Sequence, residues 1–184
     1  MNLQKLFDTQ KVLRDRIGYE GEDRFEKLIL ALLVEIGECA NEWRGFKFWS
    51  KDQEPRTSMN TCNHCNRLGR KACTGCYGKL YKNPLLEEYV DGLHFILELG
   101  IELEFVDFHL IGKINRPSNE IIEMFTDVYG DVLLIQKTKN KVHYSILFEE
   151  YLLLGELLGF TWEEIETAYF EKNKVNHERQ NTGY

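Results

Sequence analysis

Hydrophobic residues recur at helical spacing over most of the chain, which favours an all-α fold. A first helix is predicted for residues 3–17, and its apolar stripe consists of Leu3, Leu6, Gln10, Leu13 and Ile17. A second helix is predicted for residues 23–43, and its apolar centre indicates burial on most faces. Strand-like alternation is confined to short stretches such as residues 104–111. The pattern therefore predicts a helical bundle.

Polar and proline residues mark where the later helices begin. An Asn-Pro pair opens a third helix, which is expected to span residues 83–100. Further helices are expected from about Ser118 and over residues 142–158. Thr161 and Glu164 have the spacing of a capping box, which predicts the start of the last helix.

Length and charge limit the protein's class. At 184 residues the chain is expected to form a single domain, residues 1–184. The net charge of -7 argues against nucleic-acid binding by the whole surface. The sequence shows neither an apolar run of membrane-spanning length nor a signal-peptide pattern at its start. We therefore expect a cytoplasmic protein with no membrane partner.

Residues 51–82 differ from the rest of the chain and are expected to form an insertion between helices. From Lys47 to Lys82, eight basic residues outweigh two acidic ones. Four cysteines form two C-x2-C turns, which are suited to a closed structural Zn²⁺ site: Cys62, Cys65, Cys73 and Cys76. The fifth, Cys39, is expected to be a small buried hydrophobic residue.

Two roles are open for this zinc-binding insertion. Zinc can fold a segment that is too polar to fold by itself. Alternatively, the basic residues can attract an anionic nucleotide at an active-site mouth, or contact nucleic acid or a protein partner.

Two pairs of carboxylates lie in apolar helical segments. Glu35 and Glu38 are three residues apart, and Glu88 and Asp91 repeat that spacing, so each pair shares a helix face. Either pair alone fits a solvated helix surface. Two facing pairs would repel each other unless a cation lay between them, and oxygen ligands of this kind suit Mg²⁺.

These motifs resemble those of a known family. The E-x-x-E … E-x-x-D pattern is that of the all-α nucleotide pyrophosphatases, which include MazG-like enzymes and dimeric dUTPases. Three further segments resemble the dUTPase branch: F-K-F-W-S at residues 46–50, E-Y-V-D-G-L-H-F at 88–95, and Y-F-E-K-N-K-V-N-H-E-R-Q at 169–180, followed by Gly183-Tyr184. The resemblance covers nearly the whole chain outside the insertion.

The resemblance implies a homodimer that hydrolyses dUTP to dUMP with release of pyrophosphate; dUDP is a further expected substrate, with release of phosphate. The four carboxylates would hold two or more Mg²⁺ ions, and Glu38 would orient or deprotonate the attacking water. The expected substrate contacts are Gln10 at the uracil edge, Trp49 at the wall of the base pocket, and Lys47, Lys172, Asn176 and Arg179 at the phosphates.

The chain departs from the family pattern in two places. Fifty positions separate Glu38 from Glu88, an excess that the insertion accounts for. The residue at position 14 is Arg, where the first-helix pattern of the family has Asn. No role is predicted for His94. Two alternatives stay open: a pyrophosphatase acting on dCTP or another non-standard nucleotide, and a zinc-dependent nucleic-acid or protein adaptor on an inactive helical scaffold.

Overall fold

The computed structural model describes residues 2–60, 81–107, 110 and 120–183. These residues contain six α-helices and one short pair of strands. The helices are α1 (Leu3–Ile17), α2 (Arg24–Trp43), α3 (Pro84–Glu102), α4 (Ile121–Thr138), α5 (Lys141–Leu157) and α6 (Trp162–Thr182); the strands are β1 (Met59–Asn60) and β2 (Tyr81–Lys82). The all-α prediction is confirmed. None of the helices described combines the length and apolar composition needed to cross a membrane.

Helix α3 lies at the centre of the bundle and packs against α1, α2, α5 and α6. Its apolar residues are buried on several sides, and Leu93, Ile96 and Leu97 are at most 1% exposed. Helix α2 runs antiparallel to it. An ion pair of 3.6 Å joins Arg24, at the start of α2, to Glu102, at the end of α3.

Local capping chemistry fixes the start of four helices, and at α1 the Asn2 side chain accepts a hydrogen bond from the Lys5 amide. The Asn83 side chain accepts a hydrogen bond from the Leu86 amide, and Pro84 occupies the first turn of α3. The expected capping box is present, with the Thr161 hydroxyl and the Glu164 carboxylate each accepting from the other residue's amide. At the start of α5, the Asn140 side chain accepts hydrogen bonds from the Val142 and His143 amides.

The helix expected from about Ser118 is present and begins at Ile121, after Glu120 in an extended conformation; Ser118 itself lies outside the described residues. The alternating stretch at 104–111 is not a strand in its described residues, 104–107 and 110. Glu104 has a φ of 60°, a left-handed conformation that ends α3 in a turn instead.

The expected burial of α2 holds for one face only. Leu32 and Ile36 are fully buried between α3 and α4, whereas Leu30 and Val34 are 64% and 48% exposed. These two side chains lie one turn apart on the outer side of the helix. Ile17, the last residue of the α1 stripe, is also exposed, because α1 extends past the core at its C-terminal end.

A two-residue antiparallel ladder closes the base of the insertion. Met59 pairs with Lys82, and Asn60 pairs with Tyr81. Nearby, the Leu85 amide donates to the Arg56 carbonyl at 3.1 Å, and the Arg56 amide donates to the Glu42 carbonyl at 3.0 Å. The end of α2 is thereby tied to the start of α3. The four predicted zinc ligands, Cys62, Cys65, Cys73 and Cys76, lie outside the described residues.

A pair of stacked tyrosines joins α3 to α5. The rings of Tyr89 and Tyr151 lie 4.7 Å apart and nearly parallel, and both residues are buried. Each hydroxyl donates to the other residue's backbone carbonyl, at 2.9 and 2.7 Å. Gly92 and Gly155 provide the space, because a Cβ at either position would lie 2.1 Å or 2.5 Å from the facing hydroxyl.

We expect Gly155→Ala to destabilise the fold by roughly 1–3 kcal/mol, because the added methyl group overlaps the Tyr89 phenol in a packed core. Gly130→Ala on α4 is the matched control. No atom lies within 4 Å of a Cβ built there, so helix propensity should stabilise that variant by about 1 kcal/mol. Urea unfolding of both variants measures the difference, and equal stabilities would contradict the packing argument.

Candidate active site

Three carboxylates from α2 and α3 converge at one point of the bundle. Because the two helices are antiparallel and joined through the insertion, the last part of α2 lies beside the first part of α3. Each of Glu35, Glu88 and Asp91 offers a carboxylate oxygen within 4.8 Å of those of the other two. The structure thus brings together three of the four predicted metal ligands.

Burial and mutual repulsion raise the affinity of these carboxylates for protons. Desolvation, together with the charges of Asp91 and Glu38, raises the pKa of Glu35 to about 7. Desolvation and the charges of all three neighbouring carboxylates raise the pKa of Glu88 to about 7 as well. Glu38 itself is exposed and lies outside the converging trio, at its solvent edge.

Lys172 from α6 partly neutralises the cluster. Its ammonium group donates to Asp91 Oδ2 and, at 3.2 Å, to Glu87 Oε1, and the side chain is only 12% exposed. Burial lowers the pKa of Lys172, but the hydrogen bond and charge of Asp91 outweigh burial and raise it. Burial also raises the pKa of Asp91 despite this contact. One ammonium therefore compensates only part of the negative charge.

This donor set fits a divalent cation. It consists entirely of carboxylate oxygens, which are the ligands that Mg²⁺ prefers, and they approach closely enough to share one ion. The raised pKa values indicate an electrostatic cost that a cation would remove. Lys172 and Arg179 supply positive charge next to the trio.

A cavity of about 370 Å³ opens beside the cluster. Glu35 and Asp91 line one part of it, together with three predicted phosphate contacts of α6: Lys172, Asn176 and Arg179. Gln10, the predicted base contact, lines the cavity as well. On α3, Asp91 and Glu98 are two turns or about 10 Å apart, so the cavity has distinct metal-side and far ends.

Gln10 is the centre of a buried hydrogen-bond network at the far end. Its Nε2 donates to Glu98 Oε2 at 3.1 Å, and its Oε1 accepts from Tyr169 at 3.1 Å. The Oε1 atom also lies 2.8 Å from His94 Nδ1. Desolvation and the charge of Lys172 lower the pKa of His94 to about 3, so the ring is neutral. His94 also stacks on Tyr169, with ring centroids 4.2 Å apart.

Arg14 completes the polar wall beside Glu98. Its Nη1 lies 3.1 Å from Glu98 Oε1, and its Nη2 donates to Glu102. Arg24 from α2 adds a second, longer contact to Glu102. Burial raises the pKa of Glu98 despite the hydrogen bond from Gln10 and the charge of Arg14.

Lys47 and Trp49 do not line this cavity. The Lys47 ammonium group donates to Asn41 at the end of α2. Trp49 is 65% exposed, with Phe46 and Phe48 packed edge-on against its ring. In the described part of the chain, these two predicted contacts therefore do not line the cavity.

Arg14, His94 and Glu98 line the cavity but were not predicted as site residues, although the sequence contained a signal for them. A polar stripe continues along the otherwise apolar α3 beyond the acidic motif, at intervals of three and four residues, through Asp91, His94, Glu98 and Glu102. Gln10 and Arg14 on α1 show the same spacing. Two polar stripes on buried helices indicate a shared polar cavity, but the sequence does not say which side chains meet.

The family comparison covers most of this architecture. The sequence model of a family described as dUTPase matches residues 2–62 and 78–184. No curated protein matches the chain. The match includes every described helix and all of the cavity and carboxylate residues, and it leaves out residues 63–77, inside the insertion. The fold agrees, since the family is all-α. The chain therefore belongs to the dUTPase family.

Proposed function

We propose that this protein is a Mg²⁺-dependent dUTP diphosphatase that releases dUMP and pyrophosphate through the site of Glu35, Glu88 and Asp91. Family membership makes the chain a nucleoside triphosphate pyrophosphatase acting on dUTP, and a divalent metal cofactor is in keeping with it. The carboxylate convergence beside the cavity carries the rest of the proposal. The same site would accept dUDP and release phosphate.

The carboxylates would hold the metal and leave the cavity side open to substrate. When bound, two or more Mg²⁺ ions would neutralise phosphate charge and lower the pKa of an attacking water. Glu35, Glu88 and Asp91 are the proposed ligands. Glu38, which is exposed at the edge of the trio, is a further proposed ligand and the proposed acceptor of a proton from the attacking water.

The α6 side chains would hold the phosphates. Lys172 is anchored by Asp91, while Asn176 and Arg179 follow it on the cavity side of the helix. An ammonium, an amide and a guanidinium provide the donors that a polyphosphate requires. Gln10 is the proposed base contact at the far end. Lys47 and Trp49 remain predicted contacts that no interaction in the described residues ties to the cavity.

We propose a homodimer in which Leu30 and Val34 are covered, because two adjacent exposed aliphatic side chains on a central helix favour a protein contact. We also propose a structural Zn²⁺ bound by the thiolates of Cys62, Cys65, Cys73 and Cys76. A cytoplasmic location stays a prediction from the sequence.

The proposed activity is tested with a panel of dUTP, dUDP, dCTP, dTTP and dATP, assayed with Mg²⁺ and with a chelator. We expect dUTP to be preferred, dUMP and pyrophosphate to appear in equal amounts, and turnover to vanish without metal. A preference for dCTP would identify a different pyrophosphatase. Salt-sensitive polynucleotide binding without turnover would identify an adaptor.

Glu88→Gln is the decisive variant in this assay. It removes one proposed ligand charge but keeps the shape of the side chain, so we expect turnover to fall by roughly 10²-fold or more. Glu26→Gln, an equivalent change at an exposed position near the start of the same α2 helix that carries Glu35, is the matched control and should retain activity. Near-normal turnover by Glu88→Gln would show that Glu88 is not a ligand of the catalytic metal.

Metal-free protein should lose stability as the pH rises. Glu35 and Glu88 have folded-state pKa values of about 7 against an ordinary 4.5, so the folded state retains protons that the unfolded chain releases in this window. The stabilising effect of protonation is complete below the ordinary pKa and is lost as the pH passes through about 7.

Melting temperatures in chelator test this expectation. The double variant Glu35→Gln/Glu88→Gln lacks the two titrations, so it should match the wild type near about pH 5 and exceed it near about pH 8. Mg²⁺ should stabilise the wild type and not the variant. A wild type that melts like the variant at every pH would show that the pKa values of Glu35 and Glu88 are not raised in the folded protein.

Metal analysis tests the zinc proposal. We expect about one Zn²⁺ per chain, lost on replacing Cys73 and Cys76 by serine, because a closed site needs all four thiolates. If zinc only folds the insertion, dUTP turnover should persist in that variant. Absence of zinc from the purified wild type would contradict the proposal.

A further inference from the structure

Three polar side chains form an ordered row along the far end of the cavity. Gln10 and Arg14 lie one turn apart on α1, and Glu98 faces them from α3. One carboxylate oxygen of Glu98 accepts from Gln10 at 3.1 Å, and the other lies 3.1 Å from Arg14 Nη1. The carboxylate therefore lies between an amide and a guanidinium.

The neighbours of Gln10 fix which way its amide points. A carboxylate can only accept hydrogen bonds, so the NH₂ group must face Glu98. The amide oxygen then faces Tyr169 and His94, and both act as donors. Because two protein donors already occupy that oxygen, the group that Gln10 can still offer a ligand is its second N–H.

Arg14 also offers donors. Its Nη1 is buried and lies at ion-pair distance from Glu98, yet it makes no aligned hydrogen bond within the described residues. A guanidinium has no acceptor atom. The row thus presents a donor from Gln10, an acceptor from Glu98 and a donor from Arg14.

We propose that this row selects the imide edge of uracil over cytosine, with Glu98 and Arg14 as specificity-determining residues of this chain. Uracil presents a carbonyl, an N–H and a second carbonyl along its imide edge, which is the complementary order. Cytosine presents a carbonyl, an unprotonated ring nitrogen and an amino group, so two of its three positions oppose the row. This inference rests on the proposed dUTP hydrolysis and assigns its base selection.

The burial of the row gives the discrimination its strength. The side chains of Glu98 and Arg14 are 12% and 16% exposed, and Gln10 is 4% exposed. A base that leaves the carboxylate facing a lone pair forfeits a hydrogen bond in a largely buried site, and such sites reject mismatched ligands strongly.

Nucleotide monophosphates separate base recognition from catalysis. Affinities for dUMP and dCMP are measured by calorimetry in chelator, where neither metal nor turnover is needed. We expect the wild type to prefer dUMP by at least about tenfold, and 3-methyl-dUMP, which lacks the imide N–H, to lose binding by a similar factor.

Two variants assign the effect to the row. Glu98→Gln should reduce the preference for dUMP over dCMP by about tenfold, and Arg14→Met should weaken dUMP binding by about tenfold. Asp107→Asn is the control, because it removes an exposed ion pair with Lys141 outside the cavity and should retain the wild-type affinities. Circular dichroism verifies that each variant is folded.

The results distinguish this inference from the proposed activity. Unchanged affinities in Arg14→Met, an unchanged dUMP preference in folded Glu98→Gln, or normal binding of 3-methyl-dUMP by the wild type would each overturn it. If Glu98→Gln does not fold, the Arg14→Met and 3-methyl-dUMP results decide. A wild type that prefers dUMP but releases no pyrophosphate from dUTP would support the row and reject the Mg²⁺-dependent activity.

Discussion

The repulsion among three half-buried carboxylates is the constraint on which the site depends. Glu35, Glu88 and Asp91 face one another because α2 and α3 pack tightly through their apolar sides. That packing desolvates the acids, and their pKa values rise as a result. Holding these carboxylates together thus lowers the stability of the bundle and concentrates negative charge at one point. Such an arrangement is poor for folding and well suited to binding a cation, which is the usual trade-off at an active site.

The rest of the fold keeps this cluster in place. Lys172 ties α6 to the carboxylates, and the paired tyrosines 89 and 151 fix α3 against α5. Tyr89 lies between the two acidic residues of α3 in sequence, so the contacts of this tyrosine pair hold the backbone segment that carries Glu88 and Asp91. Because its hydroxyl bonds a backbone carbonyl and its ring stacks, that segment has little freedom to move away from α2.

Local chemistry made part of the structure predictable from the sequence. Asn83, Thr161 and the periodic apolar stripes act within a few residues, so helix starts and the helix faces that carry the acidic residues followed from them. The helix expected from about Ser118 begins at Ile121, whose side chain packs against the core, and the local pattern does not show that tertiary contact. The contact between Arg14 and Glu98 joins residues far apart in sequence, and it depends on the register between α1 and α3, which spacing alone does not specify.

The short ladder between β1 and β2 has a consequence for how this chain diversifies. By pairing residues 59–60 with 81–82, it fixes the two ends of the intervening segment close together, so the length of that segment hardly alters the entropy of joining α2 to α3. The stretch that the family match omits, 63–77, falls between those two ends. The ladder is thus the point at which residues can be added or removed with little effect on the packing of the six described helices.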